Sequence, residues 1–400
     1  MKTTILPMIL IFGIAFAESG CAADEKPQND FVFDLYRTIA KSKTNENVTV
    51  SPYCAELLLD LVRTGAAGET KSEIDRVLAR TEPGKWTETF SDSPLTIAAA
   101  FWTQQGHPIL PEFLKTASEE FRASVEPTDF TGNASEAVKR INAWCADKTK
   151  GKIPVLFDKL DATTRCVLAG AVHFAADWKT PFDKDATMEG SFTLQDGTKI
   201  KTKIMQQNGQ MKYGETDETL ALELPYKNDG YSMLLLLPKD SATFAKWEAA
   251  MTTEKWNALR AAMKPEQVDL RMPRFTVESD LALNEPLKQL GMPTAFSRDA
   301  DFSKIDGLTD LYLSEVRQKT FVKVDETGTE AAAATGAVIA VKMAPLNVKP
   351  FYADRPFLYA VVKEGAILFL GRFVLPDVER AAAEKPSVDP GLDGEGGAFN

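Results

Sequence analysis

Hydrophobic residues in the first part of the chain recur every three or four positions, the spacing of an amphipathic helix. This spacing predicts three helices, one beginning at Asp30 and two that cover residues 55–64 and 135–148. The second of these is followed by Gly65, a residue type that often ends a helix. A short helix is also predicted much later, at residues 283–290, and it is closed by Gly291.

After residue 164 the pattern changes to that of β-strands. Residues 166–174 form a nearly continuous apolar run, as expected for a strand with both faces covered. Turn sequences between apolar segments predict three hairpins, at Asp196-Gly197, Asn228-Asp229-Gly230 and Lys363-Glu364-Gly365. Because helices come first and strands dominate later, the predicted class is α+β.

The N-terminus looks like a targeting segment. Apolar residues 5–16 are too few to span a bilayer and fit the core of a signal peptide. Ala15-Phe16-Ala17 matches a small-x-small cleavage site, whereas Ser19-Gly20-Cys21 resembles a bacterial lipobox in which Glu18 replaces the usual aliphatic residue. We therefore predict that residues 1–21 are a signal peptide of a secreted protein, extracellular or periplasmic. Lipidation of Cys21 and anchoring to the bacterial envelope are one alternative, and a buried N-terminal strand is another.

Composition narrows the partners. The chain has 400 residues, of which 44% are hydrophobic and 26% charged, and its net charge is −11. The acidic balance disfavours nucleic acid and anionic membranes as partners and mildly favours a cationic one. Residues 377–400 are rich in alanine, proline and glycine and are predicted to be a disordered tail.

Four cysteines and two histidines offer little for a catalytic or metal site. The cysteines match no zinc-binding spacing, and Cys54, Cys145 and Cys166 lie in apolar surroundings typical of buried thiols. His173 lies in an apolar strand and is predicted to be a core residue, while His107 is predicted to lie in a loop. The chain has neither a Gly-x-Ser-x-Gly elbow nor a phosphate-binding glycine loop. We therefore expect no enzymatic activity, no metal and no cofactor.

The most unusual segment covers residues 325–341. Its alanines favour a helix by propensity, but Gly328 and Gly336 bracket them and β-prone residues follow. If the segment is a β-strand, alternate residues lie on the same face. One face then carries only uncharged, mostly small side chains, those of Thr329, Ala331, Ala333, Thr335, Ala337, Ile339 and Val341. Small side chains can enter a packed sheet without forcing it apart. The segment is therefore predicted to exist either as an exposed loop or as a strand inserted into an existing sheet.

This segment, together with several others in a fixed order, resembles the serpin family of serine protease inhibitors. The other matching segments are residues 47–52, 65–70, 141–144, 148–153, 174–178, 181–182, 291–292, 295–297, 300–303, 354–357 and 371–373. The resemblance covers residues 30–376, which are predicted to form the serpin domain.

The resemblance implies a fold and a mechanism. The fold would have about nine helices and three β-sheets, with an exposed reactive-centre loop. The partner would be a trypsin-like serine protease, which attacks the loop as a substrate and is trapped by a monomeric inhibitor as a covalent acyl-enzyme. The cut loop then enters the central sheet as a new strand, and deacylation stalls because the distorted protease loses its oxyanion geometry.

The family pattern also assigns residues. In inhibitory serpins the residue before the scissile bond usually lies fourteen positions after the hinge glycine, so here it is Lys342, followed by Met343. The stretch from Lys342 to Pro356 is a little longer than usual, and a bond one or two residues later is the alternative. The resemblance assigns the hinge to Glu326, Gly328, Thr329, Glu330, Ala331, Ala332, Ala333, Ala334 and Thr335.

Two further regions of the family pattern lie at the sheet. Trp178 matches the tryptophan at the top of the central sheet, called the breach, and Ser51 lies in the matching 47–52 segment. Beneath the sheet, many serpins have a serine, an asparagine and a histidine that control its opening, where this chain has Cys54, Gly170 and Gln318. This departure could speed loop insertion or favour a latent or polymeric form.

Two rival functions remain. A non-inhibitory serpin, such as a carrier, chaperone or envelope surface protein, often has bulky or charged residues or proline in the hinge. Residues 328–335 have none on the face that would enter the sheet, which favours inhibition. A purely structural envelope lipoprotein would not depend on the loop.

Overall fold

The computed structural model describes residues 30–82, 84, 86, 94–329 and 347–376. In these residues lie nine α-helices, namely Asp30–Ser42 (α1), Pro52–Thr64 (α2), Gly68–Val77 (α3), Pro111–Glu119 (α4), Phe130–Lys148 (α5), Phe244–Ala249 (α6), Thr253–Ala262 (α7), Asn284–Gln289 (α8) and Ser303–Asp306 (α9). The predicted leader and tail lie outside the described residues. None of the helices in the described part is long and apolar enough to cross a membrane.

The predicted helices are present, with bounds set by their caps. Helix α2 begins earlier than its apolar run because Ser51 caps it, accepting a hydrogen bond from the Cys54 amide at 3.2 Å. Helix α5 likewise begins before its predicted start, since Asp129 caps its first turn and the helix kinks at Asn133.

Sixteen strands fall in the described residues, namely Val48–Val50 (β1), Leu95–Gln104 (β2), Ser124–Thr128 (β3), Cys166–Phe174 (β4), Ala176–Asp177 (β5), Met188–Thr193 (β6), Lys199–Glu215 (β7), Thr219–Pro225 (β8), Tyr231–Pro238 (β9), Lys264–Pro273 (β10), Phe275–Ala282 (β11), Glu315–Val324 (β12), Gly328–Thr329 (β13), Lys349–Tyr352 (β14), Phe357–Lys363 (β15) and Ala366–Phe373 (β16). The three predicted hairpins correspond to β6–β7, β8–β9 and β15–β16. Strand β2 was not predicted, so the helical part of the chain also contributes to the sheets.

Hydrogen bonds join these strands into two continuous sheets. The larger has the order β1-β16-β15-β9-β8-β7-β10-β14, with β6 beside β7. Strand β7 is 17 residues long. It pairs with β6 over residues 199–204, with β10 over residues 204–213 and with β8 only at its end, over residues 212–215. It therefore connects two groups of strands that a count of three sheets treats as separate.

The smaller sheet, called here the central sheet, positions the candidate site. Its order is β3-β2-β4-β12-β13-β5, and β11 pairs with the other edge of β12. Strands β4 and β12 are parallel and pair from Val167 opposite Glu315 to His173 opposite Phe321. We call this pairing the seam. Above it, β12 continues to Val324, and β13 lies there between β12 and β5.

Both faces of the central sheet are covered. Helix α2 packs on one face, where Leu58 belongs to the main hydrophobic core together with Leu168 and Val172 of β4. Helix α5 packs on the other, where Ile141 and Cys145 meet the alternate β4 residues Val167, Ala169 and Ala171. The continuous apolar run in β4 follows from this double burial, as predicted.

Candidate functional site

The part of the candidate site that the structure describes is the top and centre of the seam. Most of the predicted reactive-centre loop lies outside the described residues. The predicted bait residues Lys342 and Met343, the hinge residues Glu330, Ala331, Ala332, Ala333, Ala334 and Thr335, and Cys21 lie outside the described residues. The structure does describe the hinge residues Glu326, Gly328 and Thr329. It also describes Trp178, Ser51 and the three residues assigned beneath the sheet, Cys54, Gly170 and Gln318.

An aspartate-centred turn leads from β12 into β13. The Asp325 amide donates to the Gly328 carbonyl at 2.9 Å, and Asp325 Oδ1 accepts from the amide and hydroxyl of Thr327 at 2.9 and 2.7 Å. Burial would raise the pKa of the Asp325 carboxyl, but the bonds from Thr327 and the ammonium of Lys323, 3.3 Å away, lower it overall. The carboxylate is thus ionised at neutral pH and fixes the turn.

Gly328 enters the sheet where no side chain fits. A Cβ atom at this position would lie 2.2 Å from the Ala176 carbonyl oxygen and 2.7 Å from the Asp177 Cα. Both are backbone atoms of β5, which cannot move aside as a flexible side chain could. The hinge glycine is therefore required by the close approach of two backbones.

Thr329 is fully buried between two strands. It pairs with Val324 of β12 and with Ala176 of β5, and both pairings are antiparallel. Its Oγ1 lies 2.6 Å from the hydroxyl oxygen of Tyr226. The first residue of the hinge that faces the core is thus already part of the sheet.

Trp178 supports both the turn and Tyr226. Its indole Nε1 donates to the Asp325 carbonyl and its backbone amide to the Thr327 carbonyl, both at 2.9 Å. Its ring stacks on that of Tyr226, with centroids 4.5 Å apart and planes 10° apart. The assigned breach tryptophan therefore contacts the hinge through backbone and ring.

Glu326 anchors the outside of the turn. Its Oε1 accepts a hydrogen bond from the Thr187 hydroxyl at 2.9 Å, and its carbonyl accepts from the Phe182 amide at 2.8 Å. The sequence did not single out Thr187 or Tyr226. Tyr226 comes just before the Asn228-Asp229-Gly230 turn, which predicts a hairpin but gives no sign of a contact 103 residues away.

At the centre of the seam, Gln318 of β12 lies opposite Gly170 of β4. The Gln318 side chain is fully buried and bonds to the backbone of Ser51 twice. Its Oε1 accepts from the Ser51 amide at 2.9 Å, and its Nε2 donates to the Ser51 carbonyl at 2.8 Å. The Ser51 hydroxyl donates to the Leu368 carbonyl at 2.7 Å. Gln318 thereby ties β12 to the start of α2.

Cys54 fills the space that Gly170 leaves. A Cβ atom on Gly170 would lie 2.7 Å from Cys54 Sγ and 2.9 Å from Leu58 Cδ1. Burial raises the pKa of the Cys54 thiol to about 12, only partly offset by a hydrogen bond with Gln318. The thiol therefore stays protonated and acts as a small apolar group. Cys54, Cys145 and Cys166 are all buried and free, as predicted.

The two histidines lie away from the hinge. His173 is a buried residue of β4, and His107 lies in a loop, as predicted. His107 Nε2 is 2.6 Å from Asp306 Oδ2, and Asp310 completes a group with ligand-type atoms within 4.8 Å of one another. It is the only such group of three among the residues with described side chains.

These features were compared with known proteins. The family model described as "Serpin (serine protease inhibitor)" matches residues 26–376. The chain belongs to the serpin family. The match spans every strand and helix of the described structure, so the central sheet, the seam and the hinge all lie within the family's fold.

Individual serpins match at moderate identity. An uncharacterized serpin-like protein of Thermococcus kodakarensis is 34% identical over 366 residues, which cover 87% of this chain and 84% of the relative. The leukocyte elastase inhibitor of Bos taurus is 33% identical, over 86% of this chain and 97% of the relative. The native structure of the thermophilic serpin tengpin superposes with a TM-score of 0.80 at 29% identity, covering 87% of this chain and 93% of that one.

These matches confirm the predicted serpin fold, and nine α-helices lie in the part of the chain that the structure describes. Serpins are mostly protease inhibitors rather than enzymes, as the name of the bovine relative illustrates. The relatives include an archaeal and a eukaryotic serpin, so they do not support the prediction of a specifically bacterial secreted protein or lipoprotein.

Proposed function

We propose that this serpin is a secreted suicide-substrate inhibitor of a trypsin-like serine protease, with its bait bond between Lys342 and Met343. The observation that carries the proposal is the position of Thr329, which already lies in the central sheet between β12 and β5. The loop thus begins between β12 and β5, at the upper end of the position that an inserted strand would occupy between β12 and β4.

The register on both sides of Thr329 is the same as that of the closed seam. Val324 and Ala176, which flank Thr329, differ by 148 positions, as do Gln318 and Gly170 lower in the seam. A strand continuing from Thr329 would therefore match β12 and β4 together, without either strand sliding along the other. Six residues further on, Thr335 would lie between Gln318 and Gly170.

The same register sets which side chains face the core. In β12 the even-numbered residues from Val316 to Val324 are buried toward α2. Their partners on the incoming strand would be odd-numbered, from Thr329 to Ala337, and none of these is charged. On the other face, Glu330 would lie opposite Lys323, a favourable cross-strand pair.

Insertion would carry the bait residue to the base of the sheet. Lys342 is 13 residues after Thr329, which is about 43 Å of extended strand. By the same register it would lie beside Leu311 and Thr163. There the structure has a cavity of about 460 Å³, lined by Thr163, Tyr312, Ser314 and others.

The chemistry needs only the protease. Its serine attacks the Lys342 carbonyl, an ester bond forms to the serine oxygen, and the bond to Met343 breaks as the new amino group leaves with a proton. Lysine fits a protease whose specificity pocket ends in a carboxylate. Insertion then pulls the acylated protease against the base of the inhibitor, and loss of oxyanion geometry prevents hydrolysis of the ester.

A gel assay tests this function. The purified chain is mixed with trypsin below equimolar amounts and run under denaturing conditions. We expect a band at the summed mass, which is lost with Lys342→Glu, because the bait is gone, and with Thr329→Arg, because a buried charge blocks insertion. Lys199→Glu, which reverses the charge of an exposed lysine of β7, is the matched control. Cleavage near Lys342 without a complex would refute inhibition and favour a non-inhibitory serpin.

Secretion is proposed from residues 1–21. Mass spectrometry of the protein recovered from cells would show an N-terminus after Ala17 if the leader is cleaved by simple secretion. A lipidated Cys21 at the N-terminus would instead establish a membrane anchor.

A further inference from the structure

His107, Asp306 and Asp310 form a group that the proposed function does not use. Their ligand-type atoms, one from each side chain, lie within 4.8 Å of one another. The His107 Nε2 atom is 2.6 Å from Asp306 Oδ2, although 199 positions separate these two residues in the chain. The expectation of no metal site rested on spacing along the sequence, which gives no sign of a group that only the fold brings together.

The group is fixed on its inner side and open on its outer side. The Asp306 side chain is fully buried, that of His107 is 17% exposed, and Asp310 is exposed. The Leu308 amide donates to Asp306 Oδ1 at 2.7 Å, which leaves Oδ2 toward His107. A bond between His107 and Asp306 needs no third group, whereas Asp310 adds a second carboxylate from the solvent side. An ion could therefore enter past Asp310 without disturbing the core.

The three side chains offer the donor atoms that a zinc ion takes. In open sites Zn²⁺ binds imidazole nitrogen and carboxylate oxygen at about 2.0 to 2.2 Å and keeps water as its fourth ligand. Ligand atoms of such a tetrahedral site are about 3.3 Å apart, so His107 and Asp306 would need to separate by less than about 1 Å. Ca²⁺ and Mg²⁺ prefer oxygen ligands alone, so the imidazole favours zinc over them.

The group lies at the base of the central sheet and spans both sides of the seam. His107 comes three residues after the end of β2, which pairs with β4. There the Gln104 amide donates to the Arg165 carbonyl at 2.9 Å. Asp306 ends α9, and Asp310 lies five residues before the start of β12. An ion bound by all three side chains would thus connect the β4 side of the seam to the β12 side.

Opening of the seam would pull these ligands apart. Helix α9 is held to the end of α2, where the Lys304 amide donates to the Gly65 carbonyl at 3.2 Å, and Gln318 ties the start of α2 to β12. The two aspartates therefore belong to the β12 side, while His107 belongs to the β4 side. A strand inserted between β4 and β12 would move them apart by about 4.8 Å. A bound ion would lose a ligand in that movement, so it would stabilise the closed sheet.

We propose that His107, Asp306 and Asp310 form a zinc site that ties the two sides of the central sheet together at its base. The site and the tie depend on these described residues alone. The effect of zinc on protease trapping rests in addition on the proposed function.

Equilibrium dialysis of the full chain against zinc chloride tests the site. The parent chain carries Cys21→Ser and no polyhistidine tag, and it is first treated with a chelator that is then removed. The other three thiols do not compete, because burial raises the pKa of each to about 12. We expect one zinc ion per chain, bound at least about tenfold more weakly in His107→Gln and in Asp310→Asn. Asp299→Asn, at an exposed aspartate outside the group, is the matched control.

The urea midpoint gives a second measurement of binding, because an ion that binds only the folded chain stabilises it. Zinc should raise the midpoint of the parent chain and of Asp299→Asn, but not that of Asp310→Asn, whose exposed side chain is not needed for folding. Magnesium at the same concentration should leave every midpoint unchanged. Zinc binding that is equally tight in the parent chain, His107→Gln and Asp310→Asn would overturn the site.

Hydrogen exchange tests the tie without any protease. Zinc should slow exchange of the β4 and β12 amides about severalfold in the parent chain and not in Asp310→Asn, since these amides exchange when the seam opens. Site-dependent zinc binding with unchanged exchange in both strands would refute the tie.

Trapping of trypsin connects the site to inhibition. Zinc should lower the trapped fraction of the parent chain and leave that of Asp310→Asn unchanged, which also controls for any action of zinc on trypsin. If no chain traps trypsin at any zinc concentration, the proposed inhibition fails, while dialysis and hydrogen exchange still decide the zinc site and the tie.

Discussion

Gln318 lies directly opposite Gly170 across the seam, yet its side chain bonds to Ser51 beneath the sheet and not to β4. Separation of β4 from β12 would therefore leave both Gln318 bonds intact. At this pair only backbone hydrogen bonds join the two strands. This geometry favours easier opening of the sheet, a step that both outcomes expected from the altered residues share, namely faster loop insertion and a latent or polymeric form.

Replacing Gln318 should destabilise the protein through Ser51. In Gln318→Leu the buried amide of Ser51 loses its partner, while the Ser51 carbonyl loses one of two and still accepts from the Ala55 amide at 3.1 Å. We expect a cost of about 1 to 3 kcal/mol in the free energy of unfolding. Urea denaturation followed by fluorescence measures this. Gln210→Leu, at an exposed position of β7, should change it by less than about 0.5 kcal/mol. Equal effects would mean that Ser51 finds other partners.

Gly328→Ala should abolish trapping. The added methyl group would clash with the β5 backbone, so the hinge cannot remain in the sheet and cleavage should outpace insertion. The readout is the fraction of inhibitor that forms the covalent band with trypsin, which we expect to fall at least about tenfold. Gly209→Ala is the matched control, because a Cβ atom there meets nothing within 4 Å. Normal trapping by Gly328→Ala would contradict the fit described for the hinge.

Gly170 and Cys54 should be energetically coupled. Gly170→Ala alone overpacks the space under the seam and should cost about 1 to 3 kcal/mol of stability. Adding Cys54→Ala removes the sulfur atom from that space and should recover about 1 kcal/mol of the loss. Denaturation of the two single variants and the double variant gives the coupling energy directly. Strictly additive losses would show that Leu58, and not Cys54, limits the space.

Glu56 should make stability depend on pH. Burial raises the pKa of Glu56 to about 7, because Arg80, 2.8 Å away and shared with Asp60, compensates only in part. A glutamate in the unfolded chain has a pKa of about 4.3. Because the pKa of Glu56 is higher in the folded protein, the folded state binds this proton more tightly than the unfolded state does. The contribution of Glu56 to stability is therefore greatest below about pH 4.3 and is lost as the pH rises through about 7.

Glu56→Gln tests this, since it stays neutral at all pH values. Relative to the unmodified protein, its urea midpoint should be higher at pH 8 than at pH 5. Glu69→Gln, which breaks an exposed ion pair with Arg76, should show no such trend. A pH-independent difference for Glu56→Gln would mean that Arg80 keeps this carboxyl ionised.

Local patterns predicted the parts of the fold that local forces determine. The apolar run of β4 and the turn at Lys363-Glu364-Gly365 both identified their elements. Strand β2 was missed because its three consecutive alanines do not favour a strand, and pairing with β4 overrides that preference. At the site, the period of two indicated that Thr329 belongs to a core-facing row. Its partner Tyr226 depends on how two sheets pack, which no local pattern records.

Strands β14, β15 and β16 follow the loop in the chain, but each is paired with a strand that precedes it, namely β10, β9 and β1. A cut between residues 329 and 347 would therefore leave one particle built from two polypeptides. The new chain ends could move tens of ångströms apart while both pieces stay bound, so the broken peptide bond could not be remade. Under the proposed function, each molecule would therefore act only once, and the quantity of inhibitor, not its turnover, would set how much protease is removed.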